Sequence, residues 1–125
     1  MVLDTDVLIE IFDRNSQKGE EIIGKLETAE VATTSINLHE ILYGFNKIGK
    51  RIPEEVLQLR TFEYNSQDAI LSSKIESELE KSGYSTGRFD CIIAAICINR
   101  NFLLATLNRK HFDRFRRFGL ELFEV

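Results

Sequence analysis

Met1-Val2-Leu3-Asp4-Thr5-Asp6-Val7-Leu8-Ile9 opens the chain, and its reading decides the fold. An apolar run starts at the first residue, is broken by carboxylates at Asp4 and Asp6, and resumes at once. The run predicts a short buried strand, after which Thr5 or Asp6 caps a helix carrying Val7, Leu8, Ile9, Ile11 and Phe12. Asp4 falls where the strand ends and the helix begins. In open parallel sheets, ligands bind beyond that carboxyl edge of the strands. A carboxylate there is either a helix cap or part of a site, and the remaining chain has to decide which.

Outward from this stretch, short β runs alternate with helical spacings. A polar loop at 15–19 precedes a helix over 18–29, with Ile22, Ile23, Leu26 and Ala29 at helical intervals. Val31-Ala32-Thr33 is the second strand. Thr34 or Ser35 caps a helix over 36–48, whose stripe is Ile41, Leu42, Phe45 and Ile48, with Glu40 beside it in the second turn and Gly49 at its end. Pro53 opens a short helix to Gln58, residues 59–64 form a strand, and Ser66 caps a helix to about Lys81 that Gly83 stops. After a loop at 84–88, residues 89–98 are almost wholly apolar; their length and the Ala94-Ala95 pair favour a buried helix over a strand. A strand over 102–106, a loop at 108–110, a helical piece over 111–118 and an alternating strand over 120–125 complete the chain. The expectation is one α/β domain over 1–125 with a mostly parallel sheet.

Composition narrows the classes. A hydrophobic share of 43 % beside 29 % charged residues is that of an ordinary globular chain. No apolar run approaches the roughly 20 residues of a membrane span, no basic and apolar leader opens the chain, and a cytoplasmic protein is expected. Cys91 and Cys97 lie six residues apart on different sides of one helix, so they read as two small buried hydrophobes in a reduced compartment. The net charge of −4 argues against indiscriminate nucleic-acid binding, but it is unevenly spread. Residues 91–125 hold six Lys and Arg against three acids, so the last quarter is basic beside an acidic body.

Asp4 ends the first strand, Glu40 lies in the second turn of the helix after strand two, and Asp90 in the first turn of the most apolar helix. A parallel sheet places all three along one edge although 36 and 50 residues separate them in sequence. Thr106-Leu107-Asn108 leaves the last interior strand at the same edge. Converging carboxylates repel and rise in pKa unless a cation joins them. Mg²⁺ or Mn²⁺ accepts carboxylate oxygens and supports phosphodiester cleavage.

These residues carry a resemblance. Leu3 to Ile9, Glu40-Ile41-Leu42-Tyr43-Gly44, Asp90-Cys91-Ile92-Ile93-Ala94-Ala95 and Thr106-Leu107-Asn108-Arg109-Lys110-His111-Phe112 together resemble the PIN-domain family, and within it the VapC-type toxins of toxin–antitoxin pairs. The resemblance implies a three-layer α/β/α sandwich and a Mg²⁺- or Mn²⁺-dependent ribonuclease acting on single-stranded or loop RNA. It also implies a homodimer and a small antitoxin protein that blocks the site. Asp4, Glu40 and Asp90 match its acidic core as metal ligands, Glu40 alternatively serving as base for the attacking water. Thr106 matches the residue that orients the first aspartate or that water, and Asn108 stands in the same motif. The chain departs from the family at Asp6, commonly Asn or Ser, and in lacking an acid at Asn108 or His111.

Two features have competing readings. The run from Arg109 to Phe118 interleaves cations with aromatics, a pattern that holds single strands, but inward-packed phenylalanines under a solvated face are the plainer arrangement; Arg109 and Lys110 are the candidates for RNA contact. His39 and His111 read as structural or surface residues. Asp4-Thr5-Asp6-Val7 also fits the signature of haloacid dehalogenase-type phosphotransferases, with Asp4 as nucleophile, but the later acidic pair is missing. A catalytically weak PIN-like scaffold is the non-enzymatic alternative.

Overall fold

The opening run forms the central strand of the sheet. In a computed structural model describing residues 1–125, the strands are Val2–Leu3 (β1), Ala32–Thr34 (β2), Arg60–Phe62 (β3), Leu103–Ala105 (β4) and Glu121–Phe123 (β5). They make one sheet in the order β3-β2-β1-β4-β5, and every pairing is parallel, where a mostly parallel sheet was expected. Val2 is registered with Ala32 on one side and Leu104 on the other, and Leu3 with Ala105. A strand flanked on both sides and covered on both faces needs apolar residues at successive positions, and Val2 and Leu3 are both buried.

The helices are Thr5–Leu8 (α1), running on as a π-helical segment Ile9–Arg14, then Gln17–Leu26 (α2), Ser35–Lys47 (α3), Glu54–Gln58 (α4), Ser66–Lys81 (α5), Arg88–Arg100 (α6) and Arg109–Phe112 (α7), which tightens into a 3₁₀ segment Asp113–Phe118. They divide between the two faces of the sheet because the strand period is two. Val2 and Leu104 pack with Ile75, Leu79 and Ile93 under α5 and α6. Leu3 and Ala105 pack with Val7, Ile22, Ile41 and Phe45 under α1, α2 and α3. The result is the three-layer sandwich. Helix α6 is buried from Cys91 through Cys97, as a helix apolar on most sides must be. Burial pushes the Cys91 thiol up to about 11 and the Cys97 thiol up to about 12, so both are inert. No helix is long and apolar enough to cross a membrane.

Local signals differ from the sequence reading at three helix starts. The cap of α1 is Asp4 itself, not Thr5 or Asp6: its Oδ1 accepts from the Thr5 amide at 2.9 Å. The cap of α5 is Asn65, one residue before Ser66. Asn65 accepts from the Asp68 amide and Asp68 returns a bond to the Asn65 amide, both at 3.0 Å, whereas Ser66 has Ala69 three residues on, which returns nothing. Helix α7 starts at Arg109 inside the expected loop. Phe112 and Phe115 are buried, which settles the basic run in favour of inward-packed rings.

Asp68 also ties α5 to α6. It is fully buried and meets Arg100 Nη1 and Asn99 Nδ2, each at 2.9 Å. Burial raises its pKa, but the bonds from Arg100, Asn99 and Asn65 and the Arg100 charge outweigh that and hold it below the usual carboxylate range.

Candidate active site

The strand order reverses beside β1. The chain moves from β1 through β2 to β3 on one side and then returns to place β4 on the other. Such a switch point opens a crevice at the carboxyl ends of the strands, and the residues leaving β1 and β4 there are Asp4 and Thr106. The Asp4 amide donates to the Ala105 carbonyl at 2.9 Å, so the backbone itself holds the two exits together.

Asp4 is 8 % exposed and accepts three bonds. Its Oδ1 takes the Thr5 amide and Asn37 Nδ2, each at 2.9 Å, and its Oδ2 takes the Thr106 hydroxyl at 2.7 Å. Burial nevertheless pushes its pKa up to about 6, and the charges of Asp6 and Asp90 push the same way against the bonds from Thr106 and Thr5. Asp4 is therefore cap and site residue at once. Asp6 stands beside it, accepting the Leu107 amide on both oxygens at 3.2 Å and touching the Thr106 hydroxyl at 3.4 Å. Burial raises its pKa as well.

Glu40 joins through Thr5. The Thr5 hydroxyl donates to Glu40 Oε1 at 2.8 Å and accepts from Asn37 Nδ2 at 3.0 Å. Asn37 is fully buried and is oriented by the Thr34 hydroxyl, which donates to its Oδ1 at 2.7 Å. Asn37 thus binds Asp4 directly and Glu40 through one hydroxyl. Asp90 is held from the other side by His111, with Nε2 at 2.7 Å from Oδ2. The His111 ring lies edge-on to Phe112 and Phe115, at 5.4 and 6.2 Å between ring centres, which fixes its plane. The Asn108 amide donates to the Thr106 hydroxyl at 3.0 Å, while its side chain makes no capping bond.

Asp4, Glu40, Asp90, Thr106 and Asn108 thus stand around one edge. Lys110 is exposed and Arg109 half-buried with Nη1 lacking a partner; neither lines the clefts at Glu40 and Asp90, whose walls are Ser35, Ile36, His39, Gly87, Arg88 and Phe89. Thr5 and Asn37 support the site without having been singled out for it in the sequence, and His111, read there as structural or surface, supports it through Asp90. A polar residue between Ile36 and Leu38 in the first turn of α3 was the available signal for Asn37. His111 had none beyond its nearness to Asn108.

The donor set is oxygen only: the thiols are inert and far too buried to contribute. Hard divalent cations take such donors, held through one or two carboxylates with waters completing the shell. No three His, Cys, Asp or Glu side chains enclose a cation by themselves. A raised, buried Asp4 that feels the Asp90 charge meets the lesser requirement of a carboxylate pair.

The PIN domain family model matches residues 1–118. Ribonuclease VapC1 of Methanocaldococcus jannaschii is 33 % identical, over 99 % of this chain and 87 % of that protein. The tRNA(fMet)-specific endonuclease VapC of Salmonella typhimurium is 31 % identical, over 71 % and 72 %. Among solved structures, the DNA-bound VapBC of Salmonella typhimurium superposes with a TM-score of 0.77 at 28 % identity, over 98 % of each chain.

Proposed function

The chain belongs to the PIN-domain family, among its VapC-like members, and from that premise we propose that it is a Mg²⁺- or Mn²⁺-dependent ribonuclease, the toxin of a toxin–antitoxin pair. The observation that carries this reading is the Asp4 carboxyl. It is buried at the strand switch point and raised to about 6 by that burial together with the charges of Asp6 and Asp90. Such a group is held at a cost that a divalent cation removes.

Asp4 and Asp90 would hold the cation, and Glu40 would serve beside them as base rather than as ligand. When bound, the cation serves as a Lewis acid toward the scissile phosphate and offsets the charge that develops there. The remaining work falls to the chain. Asn37, Thr5 and Thr106 fix both oxygens of Asp4, and His111 fixes one oxygen of Asp90, so neither carboxylate needs to reorganise during reaction. Thr5 occupies Oε1 of Glu40, and Oε2, which accepts no hydrogen bond, takes the proton of the attacking water. Arg109 and Lys110, at the start of the helix that carries His111, contact RNA phosphates. A small antitoxin protein and a second copy of the chain are its protein partners. The dehalogenase-type reading finds no support in this family assignment.

The test is cleavage of a panel of single-stranded RNAs in Mn²⁺, Mg²⁺ or EDTA, with wild type beside Asp4→Asn and Asp90→Asn. Cutting is expected with either metal, absent in EDTA, and reduced about two to four orders of magnitude in both variants. A chain that cuts no RNA, or cuts equally in EDTA, overturns the catalytic reading in favour of a scaffold.

A further inference from the structure

Phe89 is the anomaly of α6. The helix is buried from Cys91 to Cys97, yet Phe89, immediately before Asp90, is 58 % exposed. It lines two adjoining clefts of about 490 and 290 Å³ and shares both walls with Glu40. The larger adds Gly87, Arg88 and Asp90. The smaller adds Ser35, Ile36 and His39. On α3, Ile36, His39, Glu40 and Tyr43 fall at the i, i+3, i+4, i+7 spacing of one helix face, and Tyr43 is 59 % exposed at its far end. An aromatic ring is therefore presented to solvent inside a crevice whose other notable members are candidate catalytic carboxylates.

We propose that Phe89 is a stacking platform for one unpaired nucleobase of the RNA substrate, seated in the cleft between α3 and the start of α6 beside Glu40. The inference rests on the ribonuclease reading and adds to it the residue that positions the strand. Charge decides the occupant. Arg88, the one cation in these walls, is engaged by Glu76 at 3.1 Å. His111 meets Asp90 from outside the cleft walls, and no cation pairs with Glu40. With Arg88 so engaged, no free side-chain cation beside the ring holds a phosphate, which falls to the cation of the ribonuclease reading, whereas the face of a base is neutral and stacks on any aromatic ring. His39, which lines the smaller cleft with Phe89, can hydrogen-bond the edge of a base stacked on that ring, which leaves Glu40 to the reaction. Splaying a base here requires an unpaired strand, which restricts the substrate to loops and single-stranded segments.

The experiment combines cleavage kinetics with fluorescence. Wild type, Phe89→Ala and Phe89→Tyr are compared on a single-stranded RNA in Mn²⁺, and 2-aminopurine is walked along that RNA with each chain in an Asp4→Asn background. The platform predicts that Phe89→Ala raises KM about tenfold with kcat changed less than threefold, that Phe89→Tyr restores KM, and that quenching at one position is lost with Phe89→Ala. Unchanged KM in Phe89→Ala overturns the platform while leaving the nuclease standing. A wild type that cuts no RNA overturns both. Sedimentation of the same samples covers the remaining occupant: a halved mass in Phe89→Ala with intact quenching makes Phe89 a contact between two copies and also overturns the proposal.

Discussion

Asp4 shows how one residue serves two purposes with opposite energetic signs. As a cap it satisfies the Thr5 amide and stabilises α1; as a buried carboxylate at about 6 it costs stability whenever it is ionised. Below its unfolded value near 3.8 the carboxyl is protonated in both states and contributes no penalty. As the pH rises from there through about 6, the unfolded chain releases its proton first, so stability falls; above that window the cost is constant. Asp4→Asn keeps the shape and lets the Thr106 hydroxyl accept instead of donate. In EDTA it is expected to unfold about 1–3 kcal/mol less readily than wild type at pH 7, with the difference shrinking toward pH 4. Denaturant titrations across that range check this, and a variant less stable at pH 7 would contradict it. Asp4 and Asp90 could be picked out as candidates in the sequence because one ends a strand and the other opens a helix, and Glu40 because it lies in the second turn of the helix after a strand. The Asn37–Thr5 link and the His111 contact were not, because side-chain bonds across 32 and 21 residues leave no local pattern.

At the scale of elements, helix positions were readable and helix starts only in part: the Thr34 cap of α3 was one of the two residues expected, whereas the caps of α1 and α5 were not. Apolar spacing located α2 and α3, since it records which face is buried, while cap and stop residues located α5 and apolar length located α6. Starts depend on single hydrogen bonds, and Asp4, Ser16 and Asn65 each win against a neighbour of similar chemistry. The junction after α1 is the clearest case. Its π-helical segment brings Glu10 over the first turn of α2, where Ser16 donates to Glu10 Oε2 at 2.6 Å and accepts from the Gly19 amide at 3.0 Å. A methyl at Gly19 would lie 2.4 Å from the Glu10 carbonyl oxygen, so the backbones would have to part. Gly19→Ala is expected to destabilise by about 1–3 kcal/mol. Gly24→Ala, in the same helix with nothing within 4 Å, is expected to stabilise by up to about 1 kcal/mol. Opposite signs in thermal unfolding would confirm the junction; equal effects would refute it.

For the whole molecule, the alternation of strand and helix foretold a parallel α/β sheet, but not that β4 lies beside β1. That adjacency brings Thr106 to Asp4 across 102 residues and makes a site from an edge. The basic last quarter supplies α7, whose His111 reaches Asp90, so the charge asymmetry of the chain is folded into the margin of the acidic cleft. The central claim is that these distant segments converge on one hard cation. Calorimetric titration of Mn²⁺ into wild type, Asp4→Asn and Asp90→Asn tests it most directly. Saturable binding by wild type, weakened at least about tenfold in each variant, is the predicted result. Equal binding by all three, or none by wild type, would contradict the account.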